Sequence, residues 1–392
     1  MNIVFVSEMK DMKVDASSTQ IMTYNLVYGL NEAGHSVTFL AVCEDTCDTE
    51  SVVEDFHPIT FNVTCLPSAI NLISQSRGKL SKHLVMFKPT LMSSWYKSKL
   101  ETAQFPDTVD CILTHLPAIE SAYYANVLKK KYPMAEYIQY WSDPLARSGL
   151  TASAKLPTKR QTLRLLEHHI LKSADEIVYG TSLLMETQVH EFPDLARKIR
   201  YCDVSYNVYN GESRKIELFD NTKPVIGYVG SYRTVHRNID PLYTVMKKNP
   251  QFANLILCGK TDIAREGTTN IKIIERCSPK RALGIEEQLD IHVCLLNKTM
   301  SQIPGKIFYQ TNSGKPILVI LDGPDKDRIK EYLMKFNRFE FAENTEDDIY
   351  RSICNILAGR TIGKLEPPEQ LSPIRFAQSV IGDRLASIRE EM

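Results

Sequence analysis

No stretch of the chain approaches the roughly twenty uninterrupted apolar residues that a membrane span needs, which excludes a helical membrane protein. Charge of one sign is also missing, because Lys plus Arg and Asp plus Glu are both 47. No global field points to nucleic acid or to an acidic partner, so any charge preference is local. The opening strand–helix–strand pattern has no G-x-G-x-x-G, which excludes an ordinary dinucleotide fingerprint there. Metal-ligand spacing is equally thin. Cys43 and Cys47 lie close together with acids between them, yet no second pair or nearby His completes a tetrahedral zinc site. The nine cysteines are odd in number, and Cys65, Cys111, Cys258 and Cys294 sit in or beside apolar runs as small core residues. A reduced compartment follows. Met1–Val6 reads directly as a strand with no basic leader. The expectation is a soluble, cytoplasmic protein that at most lies on the inner face of a membrane.

What is present is a series of short, branched-residue runs alternating with capped amphipathic segments, and the series begins twice. At 392 residues the chain exceeds one typical core and fits two domains. The first series has strands at Ile3–Val6, Ser36–Val42, Asp110–Thr114 and Ala135–Tyr140. Helices fall at about Ser17–Ala33, capped by Ser17 or Ser18 and stopped by Gly34, and at Gln161–Lys172. The polar stretch Asn207–Lys223 reads as a linker. Pro224 then opens strands at Val225–Val229, Asn254–Cys258, Ile271–Glu275, Ile291–Leu296 and Ile317–Leu321. This pattern predicts two Rossmann-like α/β domains facing a cleft, over 1–208 and 224–372, joined by 209–223 and followed by a helix in 373–392 long enough to cross back onto the amino-terminal domain.

The most informative stretch is Ser301–Pro316, SQIPGKIFYQTNSGKP, between two apolar runs. It reads as a loop at a strand's carboxyl end feeding a short helix, with Pro304 in the first turn and Gly314 and Pro316 as stops. Open α/β sheets bind anions at such places. Gly305 permits close backbone approach and Lys306 adds positive charge, so a diphosphate is the natural guest; an ordinary βα turn is the bland alternative. Gly230 and Ser231 end another strand and are followed by Arg233, His236 and Arg237, which read as a phosphate site or as a solvated basic turn. His115 stands at the carboxyl end of the Asp110–Thr114 strand, as a reacting group or as a hydrogen-bonded structural histidine. Trp141 and Asp143 follow the Ala135–Tyr140 strand, an aromatic and a carboxylate suited to sugar stacking and hydroxyl acceptance, or else an Asp-Pro turn. The polar residues Asp15–Gln20 after the first strand, Thr19 and Gln20 among them, read as a solvated cap of the first helix.

Between Phe56 and Leu100 there is no Asp or Glu, while Arg77, Lys79, Lys82, Lys88, Lys97 and Lys99 are interleaved with apolar side chains. Residues 77–99 suit an anionic membrane surface or a lipid-linked acceptor; a solvated helix pair is the plainer reading. Nucleic acid is not expected, because no recognised fold motif accompanies the charge.

Pro304, Lys306, Ser313, Gly314, Lys315 and Pro316 resemble the donor-binding segment of GT-B glycosyltransferases of family 4. The Gly34–His35 pair, the His115–Pro117 strand end with Ser121, and the Ala174–Ser182 run are similar to other parts of that family. The resemblance implies a hexose-type transfer from a nucleotide-diphosphate sugar to a glycan or lipid-linked acceptor, with retention, no metal and no cofactor. It implies His115 facing the donor sugar, and Gly230, Ser231, Arg233 and Arg237 at the diphosphate. It places backbone near Arg276 and Cys277 at the base, and Ile303, Pro304, Gly305, Lys306, Ile307, Tyr309 and Gln310 in the donor loop. Thr19, Gln20, Trp141 and Asp143 fall to the acceptor. One position departs: Tyr309 stands where the family carries a Glu that holds the ribose hydroxyls, and a phenol cannot clamp a diol with two acceptor oxygens. A non-catalytic scaffold and a nucleotide-sugar epimerase are the other functions this fold would carry.

Overall fold

The computed structural model describes residues 1–9, 17–43, 52, 62–69, 92–146, 157–209, 218–219, 222–298 and 302–382. The chain divides into two compact units. One runs to Val204 and resumes at Pro373, and the other contains Ser205–Ser372.

The first unit is built on a parallel sheet of β1 (Asn2–Met9), β2 (Ser36–Cys43), β3 (Asn62–Pro67), β4 (Cys111–Leu116), β5 (Glu136–Trp141), β6 (Glu176–Tyr179) and β7 (Ile199–Tyr201). Their order is β3-β2-β1-β4-β5-β6-β7. Helices α1 (Ser18–Glu32), α2 (Ser93–Leu100), α3 (Ile119–Lys131), α4 (Pro157–Lys172) and α5 (Ser182–Glu191) lie between them in the chain. Every residue of β4 is buried, as expected of a central parallel strand covered on both faces. Here the structure departs from the sequence reading. β4 continues past Thr114 to Leu116, and β5 runs through Trp141, so His115 pairs with Tyr140 inside the sheet instead of standing beyond it.

The second unit has strands β8 (Val225–Val229), β9 (Asn254–Cys258), β10 (Ile271–Ile274), β11 (Ile291–Leu295), β12 (Ile317–Leu321) and β13 (Glu340–Glu343), in the order β10-β9-β8-β11-β12-β13. Its helices are α6 (Asp240–Lys248), α7 (Pro279–Glu286), α8 (Lys306–Tyr309), α9 (Lys326–Met334) and α10 (Glu346–Leu357). The alternation along each strand feeds two cores. Ile226, Tyr228, Leu255, Leu257, Val293 and Leu295 pack on one face. Val225, Val229, Ile256 and Cys258 meet Ile285 and Leu289 on the other.

Helix α11 (Pro373–Ile381) belongs to the first unit and lies along α1, burying Phe376, Ala377, Val380 and Ile381. Residues 205–207 belong to the second unit: the Tyr206 amide donates to the Leu371 carbonyl at 2.9 Å and the Asn207 amide to the Tyr309 carbonyl at 3.2 Å. Of the stretch read as linker, 210–217 and 220–221 lie outside the described residues. No helix among the described residues is long and apolar enough to cross a membrane.

Counted from its own first strand, each sheet opens in the order 3-2-1-4-5-6, so neighbouring crossovers diverge between β1 and β4, and between β8 and β11. Such a switch point leaves a crevice outside the carboxyl ends of those strands, where ligands of open α/β sheets bind.

Candidate nucleotide-binding edge

At the switch point of the second sheet, glycines close the strands. Gly230 follows β8 with φ +156°, and Gly259 follows β9 with φ +147°. A Cβ on Gly259 would stand 1.9 Å from the Gly230 carbonyl oxygen, so the two strand ends approach as only glycine allows. Arg237 braces the same corner. Its Nη1 donates to Tyr228 Oη at 3.0 Å and to the Ser231 carbonyl at 2.8 Å, and its Nε donates to Asn297 Oδ1 at 3.2 Å. The Asn297 side chain in turn donates to the Gln302 carbonyl at 2.8 Å, which ties the loop before α8 to the residues just after β11. Arg233 is exposed one turn away, its carbonyl accepting from the amides of His236 at 2.9 Å and Arg237 at 2.8 Å. Ser231 is exposed, with its hydroxyl donating to the Lys260 carbonyl at 3.1 Å.

Lys306 begins α8, but it does not stand free. Its Nζ lies 2.5 Å from Glu286 Oε1, at the end of α7, and Gln310 Nε2 donates to the same oxygen at 3.3 Å. Gln310 Oε1 accepts from the Cys294 thiol at 3.6 Å. Burial works against the charge of Lys306, but Glu286 outweighs it and holds the ammonium above its ordinary pKa. Its side chain as a whole is 33% exposed. Lys306 and Arg237 both lower the pKa of the buried Tyr228 phenol against the larger effect of burial, which places the two cations about one region.

Helix α8 is a single turn followed by a tight turn over Gln310–Asn312, with Gly305 ahead of it and no side-chain cap. So short a helix has little macrodipole. Its far end is held by the buried Arg338, whose Nε donates to the Thr311 carbonyl and Nη2 to the Lys315 carbonyl, both at 2.8 Å. Ile303 and Ile307 are buried and Pro304 and Gly305 half-buried, while the amides of Ile307, Phe308 and Tyr309 donate to the Pro304 and Gly305 carbonyls within the turn. Tyr309 is 7% exposed, so little of its phenol is presented to a ligand. Arg276 is exposed, and half-buried Cys277 has its sulfur 3.6 Å from that of Cys258.

At the corresponding edge of the first sheet the residues meet a different fate. His115 is fully buried, and its Nδ1 lies 2.8 Å from Thr23 Oγ1, which is 3.0 Å from Ser7 Oγ. Burial pushes the imidazole down to about 3, so it is neutral and does not reach solvent. Trp141 is also fully buried, its Nε1 donating to Gln139 Oε1 at 3.1 Å, and its ring is a core residue that offers no face to a sugar. Gln20 is 2% exposed and is used by the helix: its Oε1 accepts from the Ser17 amide at 2.8 Å in a capping box. Thr19 remains half-buried beside it. Asp143 is half-buried past the end of β5, where burial pushes its carboxyl up to about 7. Ser142 ties that end to β4, its amide and hydroxyl both reaching the Leu116 carbonyl at 3.1 Å.

The structure thus gathers Gly230, Ser231, Arg237, Lys306 and Gln310 at one edge and withdraws His115, Trp141 and Gln20 into the other unit's interior. Glu286 and Arg338 were not legible as site residues, since their partners lie 20 and 27 positions away. Asp325 and Asp327 form a D-x-D triplet just past β12, at the start of α9. Among the described residues no group of three or more His, Cys, Asp or Glu is gathered as for a metal ion. Of the basic segment, 77–91 lies outside the described residues; its end forms α2, with Lys97 and Lys99 in the last turn and Tyr96 and Leu100 buried. Cys47 also lies outside them.

No family model and no curated protein matches the chain. Solved structures match it over nearly its whole length. The kitacinnamycin glycotransferase is 16% identical, covering 100% of this chain and 98% of its own, with a TM-score of 0.52. The lipopolysaccharide outer core galactosyltransferase WaaB is 14% identical over 100% of both chains, with a TM-score of 0.53. The UDP-GlcNAc 2-epimerase of Neisseria meningitidis, bound to UDP-GlcNAc, is 12% identical over 99% of this chain and 100% of its own, with a TM-score of 0.54. Identities this low speak to architecture alone. The chain has the GT-B fold, with two Rossmann-like α/β domains each built on a parallel sheet.

Proposed function

We propose that the protein is a glycosyltransferase that takes a hexose-type sugar from a nucleotide-diphosphate donor and passes it to a glycan or lipid-linked acceptor. The observation that carries this reading is the glycine-closed switch point of the second sheet, where Arg237 and Lys306 flank one region and Arg233 stands exposed beside them. A departing nucleoside diphosphate gains negative charge as the glycosidic bond breaks. Fixed cations at a low-dielectric edge stabilise that charge, and this electrostatic work requires neither a metal nor a cofactor. Transfer with retention accompanies the reading, as does an acceptor held at the first unit near Thr19 and Asp143. Contact of 77–99 with an anionic membrane would bring a lipid-linked acceptor. Nucleic acid has no part in it.

The neutralisation of Lys306 by Glu286, together with the burial of Tyr309, favours a second reading, a scaffold that binds nucleotide without turnover. The test is a thermal-shift panel of UDP, GDP, ADP, CDP and TDP, with and without magnesium. One diphosphate is expected to raise Tm, with about 2.7 kcal/mol of stabilisation at a hundred times its Kd. Lys306→Met combined with Glu286→Gln keeps the pair uncharged and is expected to weaken that shift. No shift at millimolar diphosphate overturns the donor site. A shift without sugar transfer favours the scaffold, and a changed donor sugar with no acceptor added makes the protein an epimerase.

A further inference from the structure

Two thiols meet beside this edge in a way the transfer reading does not use. Cys258 is the last residue of β9, and Cys277 lies in the loop after β10, three residues beyond Ile274, which pairs with Cys258 in the sheet. The loop turns back so that the two sulfurs are 3.6 Å apart. A disulfide needs about 2.05 Å, so closure asks for a movement of about 1.5 Å. The loop can supply it, since residues 275–278 belong to no strand or helix and Glu275, Arg276 and Ser278 are exposed. Cys43 and Cys65 are as close, at 3.3 Å, but both lie within the paired strands β2 and β3, whose ladder holds their backbones.

We infer that Cys258 and Cys277 form a thiol–disulfide modification site that reacts with low-molecular-weight disulfides such as oxidised glutathione. The two cysteines divide the chemistry by exposure. Cys277 is half-buried and meets the reagent first. Its thiolate attacks one sulfur of oxidised glutathione, the reagent's S–S bond breaks, and one glutathione leaves and takes up a proton. Cys258 is 2% exposed, and burial, with Cys277 beside it, pushes its thiol up to about 12; Lys306 and Glu286 are the charged groups that act on it. It therefore acts second. Its sulfur attacks Cys277, its proton passes to the departing second glutathione, and the S–S bond between Cys258 and Cys277 forms. Two protein thiols are oxidised and one glutathione disulfide is reduced to two thiols. The product fastens the loop to the end of β9. None of these steps depends on the transferase reading, so the two stand or fall separately.

The experiment equilibrates the native full chain with increasing ratios of oxidised to reduced glutathione, alkylates the remaining thiols, and maps the tryptic peptides by mass spectrometry. The expected product joins peptide 249–260 to peptide 277–280, with two fewer alkylated thiols. Cys277→Ser, a change at a half-buried loop position, should abolish the joined product. Cys258→Ser should instead accumulate glutathione on Cys277. The inference is overturned if both peptides stay alkylated at every ratio, if wild type holds glutathione on Cys277 without closing, or if joining needs denaturant.

Discussion

Asp143 and the buried histidines pull the pH dependence of stability in opposite directions. The carboxyl of Asp143 is pushed up from 3.8 to about 7 by burial, so the folded chain prefers its protonated form. The stability this gives is fully present below the unfolded value and is lost as pH rises through about 7. Asp143→Asn removes the titration. Its stability relative to wild type should rise between about pH 4 and pH 7 by at most about 1.4 kcal/mol per unit and then level off, which urea unfolding at stepped pH would measure. A difference that stays flat over that window would show Asp143 to be ordinarily solvated. His292 behaves in the reverse sense. It is 2% exposed with neither ring nitrogen hydrogen-bonded, and burial, with Lys315, Lys306 and Arg338 nearby, pushes it down to about 3. Stability linked to its neutral form is present above its unfolded value of about 6.5 and is lost as pH falls towards 3. Because no hydrogen bond is given up, His292→Leu should cost under about 1.5 kcal/mol at pH 7.5 and should flatten the acid limb of the stability profile. His115→Leu should flatten it too, but at a cost at pH 7.5, because Thr23 loses one of its two side-chain partners and keeps only Ser7.

Helices α1 and α11 meet through a glycine. A Cβ on Gly29 would stand 2.0 Å from the Pro373 carbonyl oxygen and 2.9 Å from Ala377 Cβ. In an isolated helix Gly→Ala gains about 0.5–1 kcal/mol, but here the neighbour is backbone and cannot turn aside. Gly29→Ala should therefore destabilise by about 1–3 kcal/mol, read as a lower urea midpoint and faster amide exchange in α11. Unchanged exchange there would mean that the helices do not pack so closely. The same scale shows what the sequence reveals about fold and site. Parallel strands read well because both faces are buried, as the unbroken runs at β9, β11 and β12 show. The capping box of Ser17 and Gln20 is local and was half legible, as a cap set against a cleft. The reading failed where polar residues are buried by distant partners: His115 seemed to end β4, yet Thr23, 92 positions away, lets it stay inside. Trp141 failed likewise, since Gln139 satisfies its N–H within the core. The strands NVTCLP and EFAE are short and broken by polar residues, so β3 and β13 gave no usable period. At the candidate site the loop, the glycines and the arginines were visible as motifs. The Glu286–Lys306 pair was not, because a carboxylate 20 residues upstream carries no local sign of where its helix will end.

Among the described residues, the first unit is interrupted in sequence and the second is not. Ser205–Ser372 contains its complete sheet and both of its cores, and should fold as an isolated fragment with cooperative unfolding. The first unit depends on α11, which arrives after all of the second unit has been made. Phe376, Val380 and Ile381 are 1%, 0% and 2% exposed. At about 1.5–3 kcal/mol for each such side chain, their removal would forfeit about 5–9 kcal/mol as an upper estimate. That is comparable to the whole stability of an ordinary domain, about 5–15 kcal/mol. A chain ending at Ser372 should therefore keep the second unit and lose or loosen the first. Both tryptophans, Trp95 and Trp141, lie in the first unit, so their fluorescence reports on it alone, whereas far-ultraviolet circular dichroism sees both. The expected result for the truncated chain is a red-shifted emission, as Trp141 leaves its core, with much of the helical and sheet signal retained. Emission that stays blue, with an unchanged urea midpoint, would show that α1 and its sheet are stable without their last helix.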